Sequence, residues 1–321
     1  GDCRLVTPQG REPPVEFSAS PLRSPEGTLF GILYVFRETT EREKLQNLVT
    51  RGLEELAAAQ RKALPSRETA IAGIRCEALS LPTALGGGDA LACFRLDDTH
   101  VGFYALDVIG QGILSSVFSL LLRTFLSPHV DRGGILVERE RGGRNATEYR
   151  GGGQNAAEYR GGGLRVLAPA EVVRELNRRL FLRDEANPFF TIAYGVFDQS
   201  QGVVRLVRAG HPFPLLLTAD GTLRTLKPEG YAVGLFPGSD IATEEFRLEK
   251  GDRLFLYSDG LVDCTNSGGM TFSAPRFADL VTEGRGLLLA EQVAAVRREV
   301  VAWRGSESFA DDVSLLALER E

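Results

Sequence analysis

The 321-residue sequence has few histidines, few cysteines and no long apolar run. Three histidines are too few for a histidine-rich metal site, so any metal site must use carboxylates, which favour hard cations such as Mg²⁺ or Mn²⁺. The cysteines are scattered and form no Cys-x-x-Cys pair. This spacing predicts free thiols in place of a disulfide framework or a zinc site, and it favours a reducing cytoplasm.

The charge balance excludes further classes of protein. Lys and Arg total 37 against 43 Asp and Glu, a net charge of −6, whereas a general nucleic-acid-binding protein normally has a basic surplus. No segment reaches the roughly 18 apolar residues of a membrane span, and the polar residues 1–11 do not resemble a secretory signal. With 43% apolar and 25% charged residues, the composition is that of a folded chain.

Residues 1–38 have the pattern of short strands separated by turns. Pro14–Ser20 and Leu29–Phe36 have strand composition, and apolar side chains alternate along the second segment. So few strands bury only a small core, which indicates part of a domain.

Residues 39–66 change to a composition rich in Glu, Lys, Arg, Leu and Ala, which predicts a helix. Thr40 and Glu43 fit a capping box at its start. Apolar residues at helical spacing fit either a helix packed on its own domain or a short coiled coil, and about three heptads do not decide between them. We expect this linker to support a homodimer and to transmit a signal.

Residues 67–321 predict an α+β domain. Six segments have strand composition: Val101–Val108, Phe189–Phe197, Val203–Ala209, Phe213–Thr218, Arg253–Tyr257 and Val313–Leu318. Helical patterns occur at Ile113–Leu126, Pro169–Leu182 and Leu287–Trp303, and the first is apolar almost all round, which predicts deep burial. Hairpin-like turns between strands favour a sandwich of two mainly antiparallel sheets flanked by helices.

Residues 133–163 interrupt this domain with a glycine-rich stretch. Residues 144–153 (RNATEYRGGG) are repeated at 154–163 (QNAAEYRGGG). Two short copies do not make a solenoid, and the composition predicts a flexible surface insertion.

Aspartates at predicted strand boundaries are the main chemical signal. Asp89, Asp107 and Asp259 lie beside or near glycine at strand ends, and Asp311 introduces the last strand together with Asp312. Each motif alone fits a simple turn. Several carboxylates that converge would repel one another unless cations neutralised them. Two bridged cations can ionise a shared water and bind a phosphoryl group.

The order of these motifs resembles that of the metal-dependent protein phosphatases (PPM, the protein phosphatase 2C fold) of the SpoIIE/RsbU type. The resemblance covers about residues 57–320. It rests on Gly87-Gly88-Asp89, Asp107–Gly112, Leu176-Asn177, Phe190-Thr191, Ala209-Gly210-His211-Pro212, Gly251–Leu254, Tyr257–Gly260 and Asp311-Asp312-Val313-Ser314. Residues 1–38, in turn, resemble the C-terminal part of a PAS sensory domain that continues into its exit helix.

The PPM resemblance implies an enzyme that hydrolyses phosphoserine or phosphothreonine on a protein with two Mn²⁺ or Mg²⁺ ions. Asp107 would bridge both ions, the carbonyl of Val108 would add a ligand, and Asp89, Asp259 and Asp311 would complete the site. A metal-bound hydroxide would attack phosphorus. The implied substrate is a phosphorylated regulatory protein, such as an anti-sigma-factor antagonist with a STAS fold.

Some positions differ from the family pattern or remain open. Ile109 and Gln111 replace the usual Ser and His, and Ala92 stands where many relatives have an acidic residue. These departures motivate an alternative, a catalytically weak scaffold that binds a regulatory partner. A two-metal nuclease or nucleotide phosphohydrolase is a third hypothesis. Asp312 is a weaker ligand candidate, and Asp263 lies either next to the ligands or merely on the surface. For His211 a core or turn-stabilising role is favoured over catalysis.

Overall fold

The computed structural model describes residues 2–4, 14–23, 29–38, 71–83, 87–110, 112–139, 164–181, 189–238 and 240–321. The predicted linker helix, the predicted insertion beyond residue 139 and Gln111 lie outside these residues. The chain divides into two compact units, residues 1–56 and 57–321. None of the helices in the described part of the chain has the length and apolarity needed to cross a membrane.

The N-terminal unit is a three-stranded antiparallel sheet. Its strands are β1 (Asp2–Arg4), β2 (Pro14–Arg23) and β3 (Leu29–Glu38), in the order β1-β2-β3. The two strands predicted from composition are therefore confirmed, and each is a few residues longer than predicted. That this sheet is part of a PAS domain stays a prediction.

The second unit contains two five-stranded sheets in which all strand pairs are antiparallel. The first, called the β9 sheet, has the order β13 (Thr243–Arg247), β10 (Val203–Ala209), β9 (Phe190–Asp198), β6 (His100–Val108) and β5 (Ala90–Arg95). The second, called the β14 sheet, has the order β12 (Leu223–Thr225), β11 (Leu215–Leu217), β14 (Arg253–Tyr257), β15 (Val313–Arg320) and β4 (Ile74–Leu81). A short ribbon of β7 (Val137–Arg139) and β8 (Leu164–Val166) lies outside both sheets.

Helices cover the outer faces of the two sheets. Helices α1 (Ile113–Phe125) and α2 (Pro169–Leu180) share an apolar cluster with the β9 sheet. Helices α4 (Ala274–Glu283) and α5 (Leu289–Arg304) share another with the β14 sheet, and the short α3 (Asp259–Val262) follows β14. A third cluster fills the space between the sheets. The structure thus has the predicted sandwich architecture, whereas α4 was not predicted.

The prediction that α1 is buried all round is wrong. Leu114 is 84% exposed, and Val117 and Leu121 are also exposed, while Ser116 and Ser119 are fully buried. The helix therefore turns its small polar side chains towards the sheet and several large apolar ones outward. Composition alone could not show this, because an apolar helix has no polar stripe to mark its outer face.

The prediction of unpaired cysteines is also wrong for two of them. Cys76 on β4 and Cys93 on β5 form a disulfide between edge strands of the two sheets, with Cα atoms 6.7 Å apart. Cys264 is free and buried. The pairing depends on how the sheets stack, which the spacing of cysteines along the chain does not reveal.

Candidate metal centre

Five aspartates come together at one end of the sandwich, and we call them the carboxylate cluster: Asp89, Asp107, Asp259, Asp311 and Asp312. Asp107 is near the end of β6, and Asp89 immediately precedes β5, which pairs with β6. Asp259 follows β14, whose partner strand β15 begins just after Asp312. Antiparallel pairing brings the end of one strand beside the start of the next, so each sheet contributes a share of the cluster.

Glycines allow the main chain to pack closely around these carboxylates. A Cβ atom on Gly88 would lie 2.7 Å from the carbonyl oxygen of Val108, and one on Gly260 would lie 2.1 Å from the carbonyl oxygen of Asp312. Both distances are too short for any side chain. The glycines in Gly-Gly-Asp and Asp-Gly therefore have a packing role at this site beyond that of a simple turn.

Burial and, after it, electrostatic repulsion raise the pKa values of carboxylates in the cluster. Burial, followed by the negative charges of Asp259, Asp311 and Asp312, raises the pKa of Asp107 to about 7. Burial and the charges of Asp107 and Asp312 raise the pKa of Asp89 well above its ordinary value, although the Ser314 and Ser258 hydroxyls act in the opposite direction. One carboxylate oxygen of Asp89 is buried without a hydrogen-bond partner. These carboxylates need positive charge to be ionised together.

Asp312 differs from its neighbours because main-chain groups satisfy its side chain. It is 6% exposed, and it accepts hydrogen bonds from the amides of Thr83 at 2.8 Å and Asp89 at 3.3 Å. Its own carbonyl oxygen accepts a bond from the Ser258 hydroxyl at 3.1 Å. Asp312 therefore ties the Asp89 turn to the start of β15.

The donor set fits a hard divalent cation. Carboxylate and carbonyl oxygens are the ligands that Mg²⁺ and Mn²⁺ prefer. The carboxylate oxygen of Asp89 that has no hydrogen-bond partner in the described part of the chain is free to bind such an ion. Among the described residues, no three His, Cys, Asp or Glu side chains lie close enough together to hold an ion. The fit therefore rests on the chemistry and charge of the donors.

Asp263 also lies beside the cluster. It lines a cavity of about 100 Å³ together with Asp259, Asp311 and Cys264. Burial, the charge of Asp311 and then that of Asp263 raise the pKa of Asp259. Asp263, which the sequence placed either next to the ligands or on the surface, thus lies next to a candidate ligand.

Two other positions singled out in the sequence have different surroundings. Ala92 lies on β5 opposite Tyr104 and packs against the outer apolar cluster of the β9 sheet. His211 is 1% exposed, and burial together with the positive charge of Arg208 lowers its pKa to about 3. The imidazole is therefore neutral at physiological pH, which agrees with the favoured core role.

Thr191 is a residue of this site to which the sequence analysis gave no role. It lies directly opposite Asp107 in the β6–β9 pairing and lines an open cleft of about 790 Å³. The cleft is also lined by Arg208, Tyr231 and Phe236. Strand register would have pointed to Thr191, but the sequence does not specify register between distant strands.

A model of the Stage II sporulation protein E (SpoIIE) family matches residues 97–321. The chain belongs to the SpoIIE family. The matched region includes Asp107, Asp259 and Asp311, whereas Asp89 lies before its start. The family prediction made from the ordered motifs is confirmed.

Solved structures of SpoIIE-type and related domains share the fold. The PP2C domain of SiaA from Pseudomonas aeruginosa has a TM-score of 0.66 and 17% identity, over 88% of this chain and 100% of that chain. The PP2C phosphatase domain and regulatory fragment of SpoIIE from Bacillus subtilis have a TM-score of 0.55 and 15% identity, over 77% of this chain and 62% of that chain. RsbX in complex with magnesium has a TM-score of 0.51 and 13% identity, over 77% of this chain and 96% of that chain. The predicted fold class is therefore confirmed.

Curated relatives of this SpoIIE-family chain include two phosphoserine phosphatases of Bacillus subtilis. RsbP is 26% identical over 184 residues, which are 56% of this chain and 38% of RsbP. RsbU is 21% identical over 293 residues, 91% of this chain and 76% of RsbU. Protein IcfG of Synechocystis is matched over only 21% of its length, so the chain spans a minor part of two of these three proteins.

Proposed function

We propose that residues 67–321 form a metal-dependent serine/threonine protein phosphatase. The observation that carries this proposal is the cluster of mutually repelling aspartates at one end of the sandwich, in which Asp89 and Asp107 are half-buried. A carboxylate cluster of this kind lowers stability unless cations neutralise it. Membership of the SpoIIE family and similarity to two phosphoserine phosphatases support the same reaction.

Asp107, Asp89, Asp259 and Asp311, with the carbonyl of Val108, are the proposed ligands of two Mn²⁺ or Mg²⁺ ions. When bound, the ions supply Lewis acidity and a water of lowered pKa, the chemistry needed to hydrolyse a phosphate ester. Asp107 belongs to the β9 sheet, whereas Asp259 and Asp311 adjoin strands of the β14 sheet. Asp312 holds the Asp89 turn in place through its main-chain hydrogen bonds.

The pKa values of nearby groups determine which of them can give or take a proton. Because the pKa of Asp107 is raised to about 7, cation binding at neutral pH displaces a proton from the cluster. Because the pKa of His211 is lowered to about 3, its imidazole carries no acidic proton to give to the leaving serine or threonine oxygen. His211 is therefore assigned a structural role at the site and not that of a general acid.

The cleft beside Thr191 is the proposed entrance for a phosphorylated segment of a regulatory protein. It is open, adjoins Asp107 across the β6–β9 pairing, and combines the cation of Arg208 with the exposed aromatic rings of Tyr231 and Phe236. A STAS-type anti-sigma-factor antagonist is the proposed substrate. We further propose that the chain acts in the cytoplasm and dimerises through residues 39–66, with residues 1–38 as part of a PAS domain and residues 133–163 as a flexible insertion.

Phosphopeptide hydrolysis with and without Mn²⁺ tests this function. Wild type should turn over the phosphopeptide only with Mn²⁺, and Asp107→Asn should abolish turnover. Folded wild-type protein that binds a phosphorylated partner without hydrolysing it would favour the scaffold. Faster hydrolysis of a nucleotide or of single-stranded DNA than of the phosphopeptide would favour a nucleotide phosphohydrolase or a nuclease.

A further inference from the structure

A buried histidine is bonded to the strand residue opposite Asp107 of the carboxylate cluster. His211 follows β10 through Gly210, whose φ of +73° and contact with Ala232 admit only glycine without strain. Arg208 fixes this turn by donating hydrogen bonds to the carbonyls of His211 at 2.8 Å and Pro228 at 3.0 Å. The main chain therefore holds the ring at a defined position.

On one side the ring contacts the β9 sheet. The Thr191 hydroxyl lies 2.8 Å from Nδ1 of His211. Thr191 is the register partner of Asp107 in the neighbouring strand. Directly opposed residues of an antiparallel pair point to the same face, with Cβ atoms about 5 Å apart. The threonine side chain is therefore placed between the ring and Asp107.

On the other side the ring faces the β14 sheet. The nearby main chain of Tyr257 favours the protonated form of the ring, but Nε2 of His211 is buried and makes no hydrogen bond to a described residue. Tyr257 ends β14, two residues before Asp259. Because Nε2 has no hydrogen-bond partner among the described residues, the bond between the Thr191 hydroxyl and Nδ1 is the one that orients the ring.

We propose that His211, through Thr191, is a positioning residue that restrains Asp107 and thereby sets the affinity of the cluster for divalent cations. The apolar side chains between the sheets allow small shifts, whereas the hydrogen bond between Thr191 and the ring fixes direction and distance. This inference rests on the proposed function, because cation binding is the property that His211 controls. Groups that orient metal ligands from outside commonly change metal affinity by about 10–100-fold.

Mn²⁺ titration by calorimetry of the full chain tests the inference without a measurement of turnover. Thr191→Val, which keeps the shape of the side chain but removes the hydroxyl, should weaken Mn²⁺ binding about tenfold or more. Thr191→Ser, which keeps the hydroxyl, should bind within about twofold of wild type. His211→Phe should weaken binding to a similar degree, and the double variant should be no weaker than His211→Phe, because the two residues act as one unit.

His100→Phe is the matched control. His100 is hydrogen-bonded to Asp97 at the opposite end of β6, so this variant should bind Mn²⁺ with unchanged affinity. Thermal unfolding of the metal-free variants checks folding, and if His211→Phe does not fold, the pair Thr191→Val and Thr191→Ser decides. If Thr191→Val bound Mn²⁺ with wild-type affinity, the inference about His211 would be overturned, whereas the proposed metal centre would not. Absence of Mn²⁺ binding in wild type, or wild-type binding in Asp107→Asn, would overturn the proposed metal centre as well.

Discussion

The two ends of strand β14 both adjoin acidic groups, but only one end neutralises them. At the start of the strand, the buried carboxylate of Asp252 accepts hydrogen bonds from the amides of Ala219 at 2.9 Å and Glu249 at 2.8 Å. Arg253 binds Glu319 with Nη2 at 3.0 Å and Gln292 with Nη1 at 2.8 Å. At the other end, Asp259 faces the charges of Asp311 and Asp263, and burial raises its pKa.

This contrast separates a structural charge site from a functional one. Buried polar groups with partners at every position stabilise a single arrangement of the chain. Buried like charges without counterions lower the stability of the fold, and such clusters persist where function needs them. The carboxylate cluster is therefore the end of the sandwich at which we propose a cation site, and the Arg253 end supports the fold.

Asp107→Asn is expected to have the largest effect on turnover. Loss of the proposed bridging ligand should lower Mn²⁺-dependent phosphopeptide hydrolysis at least about 1,000-fold, since bound cations contribute several kcal/mol to the transition state. The metal-free variant should unfold at a temperature no lower than wild type, because one repelling charge is removed. Full activity in this variant would show that the carboxylate end is not the catalytic end.

Gly260→Ala tests the close packing of the same end. The new Cβ would lie 2.1 Å from the Asp312 carbonyl oxygen, so Asp312 and the adjacent Asp259 must move. We expect a loss of about 1–3 kcal/mol in the free energy of unfolding and a fall of about 100-fold in turnover through misplaced ligands. Gly286→Ala is the control, because a Cβ there meets no atom within 4 Å. Equal behaviour of the two variants would contradict the packing role.

Glu319→Gln tests the neutralised end. The Arg253 side chain is 9% exposed and pairs with Glu319 at 3.0 Å. Removing the negative partner should lower the free energy of unfolding by about 1–3 kcal/mol, measured by urea denaturation, with turnover within about twofold of wild type. If turnover fell as far as in Asp107→Asn, the two ends would not be functionally distinct.

The smallest expected effect is the pH dependence of the metal-free protein. The pKa of Asp107 is about 7 in the folded chain against an ordinary 3.8, so between these values the folded state holds a proton that the unfolded state has lost. Stability therefore falls as pH rises through this range and levels off above pH 7. Asp198, whose pKa is lowered by hydrogen bonds from Ser200 and Gln201, titrates below this range.

Melting temperatures in a chelator at pH 5, 6, 7 and 8 measure this dependence. We expect a fall of several degrees in wild type and a smaller fall in Asp107→Asn, which cannot titrate at that position. A melting temperature that rises from pH 5 to pH 8 in the wild-type protein would contradict the raised pKa of Asp107.

Much of the fold could be predicted from local patterns. The alternation of apolar residues and the turn signals indicated β9, β10, β14 and β15, and the two sheets follow from short antiparallel connections. Helix α4 was not predicted, and the outward-facing Leu114 contradicted an apolar pattern. Both depend on which surfaces meet in three dimensions, and packing overrides local preference at such positions.

The candidate site was partly readable from the sequence. Asp89, Asp107 and Asp259 stood out because aspartate beside or near glycine recurs at strand ends, and Asp311 because it introduces the last strand. The roles of Asp312 and Thr191 were not readable. That of Asp312 depends on a hydrogen bond from Thr83, 229 positions away, and that of Thr191 on the register that sets it opposite Asp107.

The sequence by itself determined the residue types of this protein's chemistry, the SpoIIE family pattern and the antiparallel character of its sheets, because each is encoded by neighbouring residues. Only the tertiary structure decided that Cys76 meets Cys93, that α1 exposes Leu114 and Leu121, and that Asp312 is held by main-chain amides while Asp107 is not. The physical reason is distance along the chain. Burial, mutual repulsion and register arise only when remote segments pack together, and they determine which aspartates need a cation.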